Sequence, residues 1–403
     1  MLIFQKASKA SSLRPLFSST KVFTLSRSLL TSKPKISTLF PPSSNRPITP
    51  LSSLPNSFPF LQPKNFKYTT TPSPEKNVNS PPTELPLKTH SSSLVWKIQR
   101  PLPPVKKFYT YMDLSKDKLT AFVVLTAMAG YAAAPLSADL KTLFVLTTGT
   151  AMCSAAANAT NQWIEVPYDA QMKRTRNRPI VRGAVPPTNA ISFAIAMGAL
   201  GTTSLIYFVN PITGFLGLLN IVLYSFVYTP LKRISVVNTW IGAFVGAIPP
   251  MMGWTAATGS FDLGTLLLGG LLFAWQFPHF NSLSWTLRKE YSVAGYRMIS
   301  VLNPPLNSRV SLRYSIAMFP ICGMLTYFQI TDSWFLLDSS VVNAYLTYQA
   351  YGFWKSSNST SSRSLFFASL IHLPLILILL IAHKKRASED SEPKQLETPT
   401  TEN

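Results

Sequence analysis

Residues 364–383 read Ser-Leu-Phe-Phe-Ala-Ser-Leu-Ile-His-Leu-Pro-Leu-Ile-Leu-Ile-Leu-Leu-Ile-Ala-His and contain no Asp, Glu, Lys or Arg. A helix of about 20 such residues is long enough to cross the hydrocarbon core of a bilayer. Comparable apolar runs recur from Leu119 onward, with short polar breaks between them. The sequence therefore predicts an all-α polytopic membrane protein, a bundle of about nine transmembrane helices. The candidate spans are residues 119–137, 140–160, 189–209, 211–229, 236–256, 263–283, 311–330, 334–354 and 364–383.

The composition of the 403-residue chain supports this class. Charged residues make up 13% of the chain, and the formal net charge is +21. Few charges with a strongly basic balance indicate a membrane protein with basic loops. No nucleic-acid partner is expected, because a nucleic-acid-binding protein concentrates Lys and Arg on a soluble domain. Cys153 and Cys322 both lie in apolar runs, which excludes a disulfide scaffold and a cysteine zinc site.

The N-terminal region differs from the rest of the chain. Residues 1–74 contain ten Lys or Arg and no Asp or Glu, as in organellar transit peptides. Composition fits a mitochondrial and a plastid signal equally, and a generic disordered tail is the alternative. We predict a transit peptide over 1–35 and a Pro/Ser-rich disordered linker over 36–105. The membrane domain then occupies 106–385, and an acidic disordered tail follows over 386–403.

Charge placement predicts the orientation of the bundle. With the N-terminal side taken as the inner side, the inner loops carry thirteen Lys or Arg residues and the outer ends carry mainly acids. Basic loops remain on the inner side of a membrane, so the N-terminus is predicted to lie inside. One observation opposes this orientation, because Lys384, Lys385 and Arg386 follow the last span on the outer side. The acids at the outer ends are Asp139, Asp262, Asp332 and Asp338.

A polar cluster follows the second span. Asn161, Glu165 and Asp169 are spaced four residues apart, which places them on one face of a helix. Oxygen ligands on one face suit Mg²⁺, which shares its remaining positions with substrate phosphate and water. The basic residues that follow suit a phosphate or diphosphate. An ordinary polar loop with positive-inside residues is the alternative, and Pro167 complicates a continuous helix. The basic residues are Lys173, Arg174, Arg176, Arg178 and Arg182.

Several stretches of the chain carry a resemblance to a known family. Residues 161–179 (Asn-Gln-Trp-Ile-Glu-Val-Pro-Tyr-Asp-Ala-Gln-Met-Lys-Arg-Thr-Arg-Asn-Arg-Pro) resemble the first acidic motif of the UbiA-type intramembrane prenyltransferases. More narrowly, the chain resembles the branch of that family that acts on haem, over roughly Phe108 to His383. The other matching stretches are Tyr-Thr-Pro-Leu-Lys-Arg-Ile-Ser at 228–235, Gly-Ala-Ile-Pro-Pro at 246–250, Gly-Trp-Thr-Ala-Ala-Thr-Gly at 253–259, Trp-Gln-Phe-Pro-His-Phe at 275–280 and Tyr-Ser-Val-Ala-Gly-Tyr at 291–296.

The resemblance implies a UbiA-like bundle of nine helices and a Mg²⁺-assisted transfer of a prenyl group. In this branch, farnesyl diphosphate and haem B give haem O for cytochrome c oxidase assembly. The expected location is the mitochondrial inner membrane, with multiple spans and the N-terminus on the matrix side. The expected partners are the two substrates, the lipid bilayer and a downstream haem-modifying enzyme.

The resemblance also implies roles for individual residues. Glu165 and Asp169 are expected to be catalytic and to hold Mg²⁺, with Asn161 as a further ligand. The candidates for binding the diphosphate are Arg174, Arg178, Lys232 and Arg233.

The second acidic motif departs from the family pattern. Relatives often carry two adjacent acids, whereas this chain has Lys289-Glu290-Tyr291. Glu290 is therefore the one acid here that could bind substrate or a second Mg²⁺. A solvated loop pair is the alternative interpretation of Lys289 and Glu290.

Two histidines lie within predicted spans, where polar residues are suspected of function. His279 lies near the second motif and is predicted to be catalytic, with packing against a neighbouring helix as the alternative. His372 lies inside the last span, where packing is the preferred interpretation.

Three other functions compete with haem farnesylation. A prenyltransferase acting on an aromatic quinone precursor would share the first motif, so the distinction rests on resemblance. A non-catalytic oxidase assembly factor would not need clustered carboxylates. A transporter would carry ionisable residues midway through its spans, whereas the acids here lie near span ends.

Overall fold

The computed structural model describes residues 103–136 and 139–385. The predicted transit peptide, nearly all of the predicted linker and the predicted acidic tail lie outside the described residues. The helices are α1 (Pro104–Ser115), α2 (Asp117–Ala133), α3 (Leu140–Asp169), α4 (Pro187–Phe208), α5 (Pro211–Val222), α6 (Thr229–Ile234), α7 (Asn238–Thr258), α8 (Leu263–Val293), α9 (Ile299–Leu302), α10 (Pro304–Tyr327), α11 (Trp334–Ser356) and α12 (Ser359–Ala382).

The all-helical membrane fold is confirmed. The described residues form nine long helical segments, because a π-helical turn over Leu223–Tyr228 joins α5 to α6 into one segment. By length and composition alone, five of these described segments could cross a membrane. Large apolar side chains such as Phe122, Phe144 and Val341 are exposed on the helix surfaces, as suits contact with lipid tails.

Local sequence signals explain where the helices begin. Asp139 caps α3 by accepting hydrogen bonds from the backbone N–H groups of Lys141 and Thr142. Asp262 caps α8 through a capping box with Thr265. These side chains satisfy backbone donors that have no partner within the helix. Two of the acids at the predicted outer ends therefore have a structural role in starting helices.

The nine segments alternate in direction, so their ends form two groups of loops. We call the end that contains residues 170–186, 235–237, 294–303 and 357–358 the basic end. The opposite end contains residues 209–210, 259–262 and 328–333, together with the chain that follows α12. This arrangement agrees with the alternation predicted from charge.

Helices α2 and α7 approach each other closely at two glycines. A Cβ atom at Gly130 would overlap the carbonyl of Pro250, and one at Gly253 would overlap the carbonyl of Ala127. These backbone atoms cannot move away without shifting a helix. Small residues allow such close packing in membrane bundles.

We expect Gly253→Ala to destabilise the protein by about 1–3 kcal/mol, the cost of overpacking a tight core. Gly270→Ala is the matched control, because nothing lies within 4 Å of a Cβ at Gly270. The measurement is thermal unfolding of both variants in detergent. Equal midpoints for the two variants would contradict the close approach.

The residues after α12 explain the basic cluster on the predicted outer side. Lys384 Nζ donates to the carbonyl oxygens of Ala132 and Ala134, 2.8 and 2.9 Å away, at the C-terminal end of α2. Lys385 Nζ donates to Gln329 Oε1. A cation stabilises the negative end of a helix dipole. The two lysines therefore have structural partners, and they are weak evidence about orientation.

His383 joins the loop before α11 to α11 itself. Its Nδ1 lies 2.9 and 3.0 Å from the two carboxylate oxygens of Asp332, and its Nε2 lies 3.1 Å from Asp338 Oδ2. Both ring nitrogens can donate only when the imidazole is protonated. The hydrogen bond to Asp332 raises the pKa of His383 above its usual 6.5, and it lowers the pKa of Asp332 below its usual 3.8.

We expect the contribution of His383 to stability to depend on pH. Because its folded pKa is raised, the contribution is complete below about pH 6.5 and is lost as pH rises through the folded value. Because the pKa of Asp332 is lowered, the contribution is also lost in acid, as pH falls through that lower value. Thermal unfolding of wild type and His383→Gln across this range measures the effect. A difference between the two proteins that is independent of pH would contradict it.

Candidate active site

The last two turns of α3 bring the predicted ligands together. Asn161, Glu165 and Asp169 all lie on α3, which continues through Pro167 to Asp169. All three side chains are buried, with Asp169 fully inaccessible. The missing N–H of Pro167 does not break the helix. The four-residue spacing therefore places the three side chains on one face.

Two cations neutralise these carboxylates. Lys232 Nζ lies 2.7 Å from Glu165 Oε1, and Arg178 Nη1 lies 3.4 Å from Glu165 Oε2. Arg178 also forms a close ion pair with Asp169. Although burial alone would lower the pKa of Arg178, Asp169 and Glu165 outweigh that effect and raise it. Arg178 is therefore charged at all physiological pH values.

A third cation, which the sequence analysis missed, lies at the same cluster. Lys116 separates α1 from α2 in a left-handed backbone conformation with φ of 51°. Its Nζ donates to Asn161 Oδ1 at 2.8 Å, and Asn161 Nδ2 donates to Thr229 Oγ1 at 2.9 Å. Burial, with a second contribution from Arg178, lowers the pKa of Lys116 well below its usual 10.5. In the sequence Lys116 is one of several charges before the first span, and no motif singles it out.

Aromatic rings surround the cations. Lys232 Nζ lies 4.5 Å from the ring centroid of Tyr228, and the Arg233 guanidinium lies 4.2 Å from that of Tyr168. The Tyr224 and Tyr228 rings lie 5.5 Å apart on the π-helical turn. Such turns occur often at functional sites because they re-aim side chains. Here the turn precedes the segment that carries Lys232.

The oxygen donors of the α3 cluster are of the kind that suits Mg²⁺, and one of them has no partner among the described residues. Asp169 Oδ1 is buried and has no hydrogen-bond partner among the described residues. The amide of Asn161 and the carboxylates of Glu165 and Asp169 are the hard donors that Mg²⁺ prefers. No three His, Cys, Asp or Glu side chains in the described ranges are grouped closely enough to hold a metal by themselves. A metal here would need further ligands from substrate and solvent.

Glu290 and Arg174 meet at the mouth of the site. The backbone N–H of Arg174 donates to Glu290 Oε2, and the two atoms lie 3.4 Å apart. This hydrogen bond joins the end of α8 to the loop after α3. Both side chains are at least partly exposed. Glu290 therefore lies on the same side of the bundle as the α3 cluster, but it is not grouped with Glu165 and Asp169 as one set of metal ligands.

The structure places His279 apart from the carboxylates. His279 Nδ1 lies 2.9 Å from Ser369 Oγ, and its ring stacks on Trp275 and Phe366. These contacts join α8 to α12, and no hydrogen bond or ring contact in the described residues links His279 to the α3 cluster. His372 Nε2 lies 2.9 Å from Asn343 Oδ1, which is the expected packing role.

Buried carboxylate and amide oxygens lie among basic side chains at one end of a bundle of nine helical segments, an arrangement typical of an intramembrane enzyme. The sequence model described as the UbiA prenyltransferase family matches residues 123–371, and this chain belongs to that family.

Similar proteins with curated names share one description. The chain is 48% identical over 308 residues to "Protoheme IX farnesyltransferase, mitochondrial" of Yarrowia lipolytica, covering 71% of this chain and 65% of the relative. It is 52% identical over 272 residues to the Homo sapiens protein of that name, and the match covers 68% of this chain and 61% of the relative. It is 47% identical over 301 residues to the Saccharomyces cerevisiae protein of that name, and the match covers 70% of this chain and 65% of the relative. The chain thus spans slightly less than two thirds of the length of these three relatives.

Solved structures share the fold at low identity. A structure concerning digeranylgeranylglyceryl phosphate synthase superimposes with a TM-score of 0.61 at 13% identity, covering 69% of this chain and 98% of that one. A UbiA homolog from Archaeoglobus fulgidus bound to DMAPP and Mg²⁺ superimposes with a TM-score of 0.53 at 14% identity. The match covers 67% of this chain and 99% of that one. These likenesses support the fold alone.

Proposed function

We propose that this chain transfers the farnesyl group of farnesyl diphosphate to a vinyl group of haem B, forming haem O. The observation that carries the proposal is the cluster of Asn161, Glu165 and Asp169 among Lys116, Arg178 and Lys232, in a chain about half identical to named haem farnesyltransferases. In the transfer, the bond between the farnesyl carbon and the diphosphate oxygen breaks. The vinyl π electrons form the new carbon–carbon bond, the carbocation left on the other vinyl carbon takes up a water molecule that then loses one proton, and haem O therefore carries a hydroxyl group while diphosphate leaves.

The cations have a direct part in breaking the first bond. Arg178 and Lys232 now neutralise carboxylates, and they are the groups we expect to stabilise the negative charge on a leaving diphosphate. Lys116 gives the cluster three basic side chains against two carboxylates. A site with that balance favours an anionic substrate. Arg174 and Arg233, at the exposed rim, would attract the diphosphate from solution.

Asn161, Glu165 and Asp169 are the residues that would hold Mg²⁺. When bound, the ion supplies neutralisation of charge on the diphosphate oxygens. The aromatic rings of Tyr224 and Tyr228, close to Lys116 and Lys232, would limit the access of water to an allylic cation. The DMAPP and Mg²⁺ named for the Archaeoglobus fulgidus homolog support this chemistry.

The acceptor and the location are part of the same proposal. His279 lies between aromatic rings, where we propose that it contacts the haem rather than the diphosphate. The relatives are named mitochondrial, which supports targeting by residues 1–35 to the inner membrane. The basic end would face the matrix, which also places the N-terminus there. A downstream haem-modifying enzyme would take up the product.

An acceptor exchange tests the proposal. Purified full-length protein is incubated with farnesyl diphosphate and Mg²⁺, once with haem B and once with an aromatic quinone precursor, and the products are separated by chromatography. We expect a farnesylated haem and no farnesylated aromatic product. Prenylation of the aromatic acceptor without any haem product would contradict the assignment.

Glu290 is expected to matter less than the α3 carboxylates. It lies at the mouth of the site beside Lys289, whose charge compensates part of its own, so it should hold Mg²⁺ weakly. We expect Glu290→Gln to raise the Mg²⁺ concentration for half-maximal activity several-fold, with a smaller loss of maximal rate than Asp169→Asn causes. Lys289→Asp should lower the Mg²⁺ requirement. Titration of Mg²⁺ across the three variants measures this, and equal, complete loss in Glu290→Gln and Asp169→Asn would refute the ranking.

A further inference from the structure

A small cleft lies at the basic end, away from the α3 cluster. It has a volume of about 160 Å³ and lies where the end of α8, the start of α10 and the end of α11 meet. The side chains that line it and carry the argument are Trp285, Ser308, Arg309, Trp354 and Ser357. None of them has a part in the proposed prenyl transfer.

One basic side chain, Arg309, lines the cleft, and two more lie next to residues that line it. The Arg288 guanidinium lies 4.3 Å from the ring centroid of Trp285, and Lys355 lies in the last turn of α11, beside Trp354. Arg309 forms one hydrogen bond, from its Nε to the carbonyl of Pro305 at 3.3 Å. No carboxylate of the described residues forms an ion pair with any of these three cations. Their charge is available to an anion.

A residue that lines the cleft has a buried donor without a partner. Trp285 is 6% exposed, and its Nε1 has no hydrogen-bond partner among the described residues. A buried donor without a partner costs free energy, so a bound acceptor would stabilise the site. The hydroxyls of Ser308 and Ser357 lie 3.4 Å apart in the same cleft, and each has a backbone carbonyl acceptor from which it would have to turn to donate to a bound anion.

The rim of the cleft has the character of a membrane interface. Trp354 is 43% exposed and Tyr351 is 45% exposed, and their rings lie 5.7 Å apart. Exposed Trp and Tyr are typical of the headgroup level of a bilayer. Basic pockets between transmembrane helices at this level recognise anionic lipid headgroups.

We propose that this cleft binds the phosphate headgroup of an anionic phospholipid, with Arg309 and Arg288 pairing with the phosphate and the Trp285 N–H donating to it. The acyl chains would lie along the exposed aromatic rim. This site is independent of the proposed prenyl transfer.

The test is a lipid titration of the purified full-length protein in neutral detergent, read by native mass spectrometry. The probes are phosphatidylglycerol, phosphatidylcholine and inorganic phosphate. We expect phosphatidylglycerol to bind in preference to phosphatidylcholine. Arg309→Gln should weaken its binding about tenfold, as for the loss of one charge-assisted hydrogen bond. Trp285→Phe keeps an aromatic ring but removes the indole N–H, and it should weaken the binding of phosphatidylglycerol several-fold.

Arg363→Gln is the matched control, because Arg363 is exposed at the same end of the bundle but does not line the cleft. The Arg363→Gln variant should bind phosphatidylglycerol as tightly as the wild-type protein does. Equal binding by Arg309→Gln and Arg363→Gln would overturn the proposal, as would equal binding of the two lipids. Displacement of phosphatidylglycerol by inorganic phosphate at the same concentration would assign the cleft to a free anion and overturn the lipid assignment.

Discussion

Asp169→Asn and Glu165→Gln are each expected to reduce the rate of haem farnesylation about a thousandfold. The reason is that a metal held by these carboxylates, as proposed, would supply several kcal/mol of charge stabilisation, and each 1.36 kcal/mol changes the rate tenfold. Asp169 is fully inaccessible, one of its carboxylate oxygens pairs with Arg178, and the other has no partner among the described residues and is therefore available to a metal. The measurement is turnover of the purified variants at saturating substrates.

Asp262→Asn is the control for these variants. Asp262 caps α8 at the opposite end of the bundle, and Asn is an equally good cap. Its turnover and thermal midpoint should match those of wild type. If both α3 variants keep wild-type turnover at limiting Mg²⁺, the assignment of metal ligands is wrong.

Lys232→Met should lower kcat/KM for farnesyl diphosphate about a hundredfold, the usual loss when one preorganised donor to a developing anion is removed. Methionine keeps the length and apolar stem of lysine. Lys232 is largely buried, and its Nζ lies 2.7 Å from Glu165 Oε1. Removing the lysine therefore leaves less positive charge to neutralise the Glu165 carboxylate. The variant should therefore need less Mg²⁺ even as it binds the diphosphate more weakly.

Lys173→Met is the matched control, since Lys173 is an exposed lysine in the loop after α3. We expect its kcat/KM to change less than twofold, because an exposed charge is screened by solvent and salt. Equal losses in the two variants would indicate that total charge, rather than the buried contact of Lys232, governs diphosphate binding.

The helices could be predicted from sequence because each apolar run must satisfy its own backbone within lipid. All nine predicted spans correspond to helical segments, although several helices extend beyond the predicted spans. The α3 helix, for example, continues to Asp169, nine residues past the predicted span. The spacing of Asn161, Glu165 and Asp169 predicted their shared face because periodicity is local information.

Contacts between distant parts of the chain could not be predicted in this way. Lys116 reaches Asn161 only because a left-handed residue turns the chain between α1 and α2. Lys384 contacts the carbonyl oxygens at the end of α2, about 250 residues earlier in the chain, and no local pattern predicts that contact. His279 was expected near the second motif, yet its partner Ser369 lies 90 residues away on α12. Each of these depends on which helices pack together.

The most direct test of the account measures both products of one reaction. Purified wild-type protein is supplied with farnesyl diphosphate and haem B, and released diphosphate and farnesylated haem are quantified with and without Mg²⁺. We predict equal amounts of the two products with Mg²⁺ present, neither product with a chelator, and about a thousandfold slower formation of both in Asp169→Asn. Diphosphate release without farnesylated haem, or undiminished product formation in the chelator, would contradict the account.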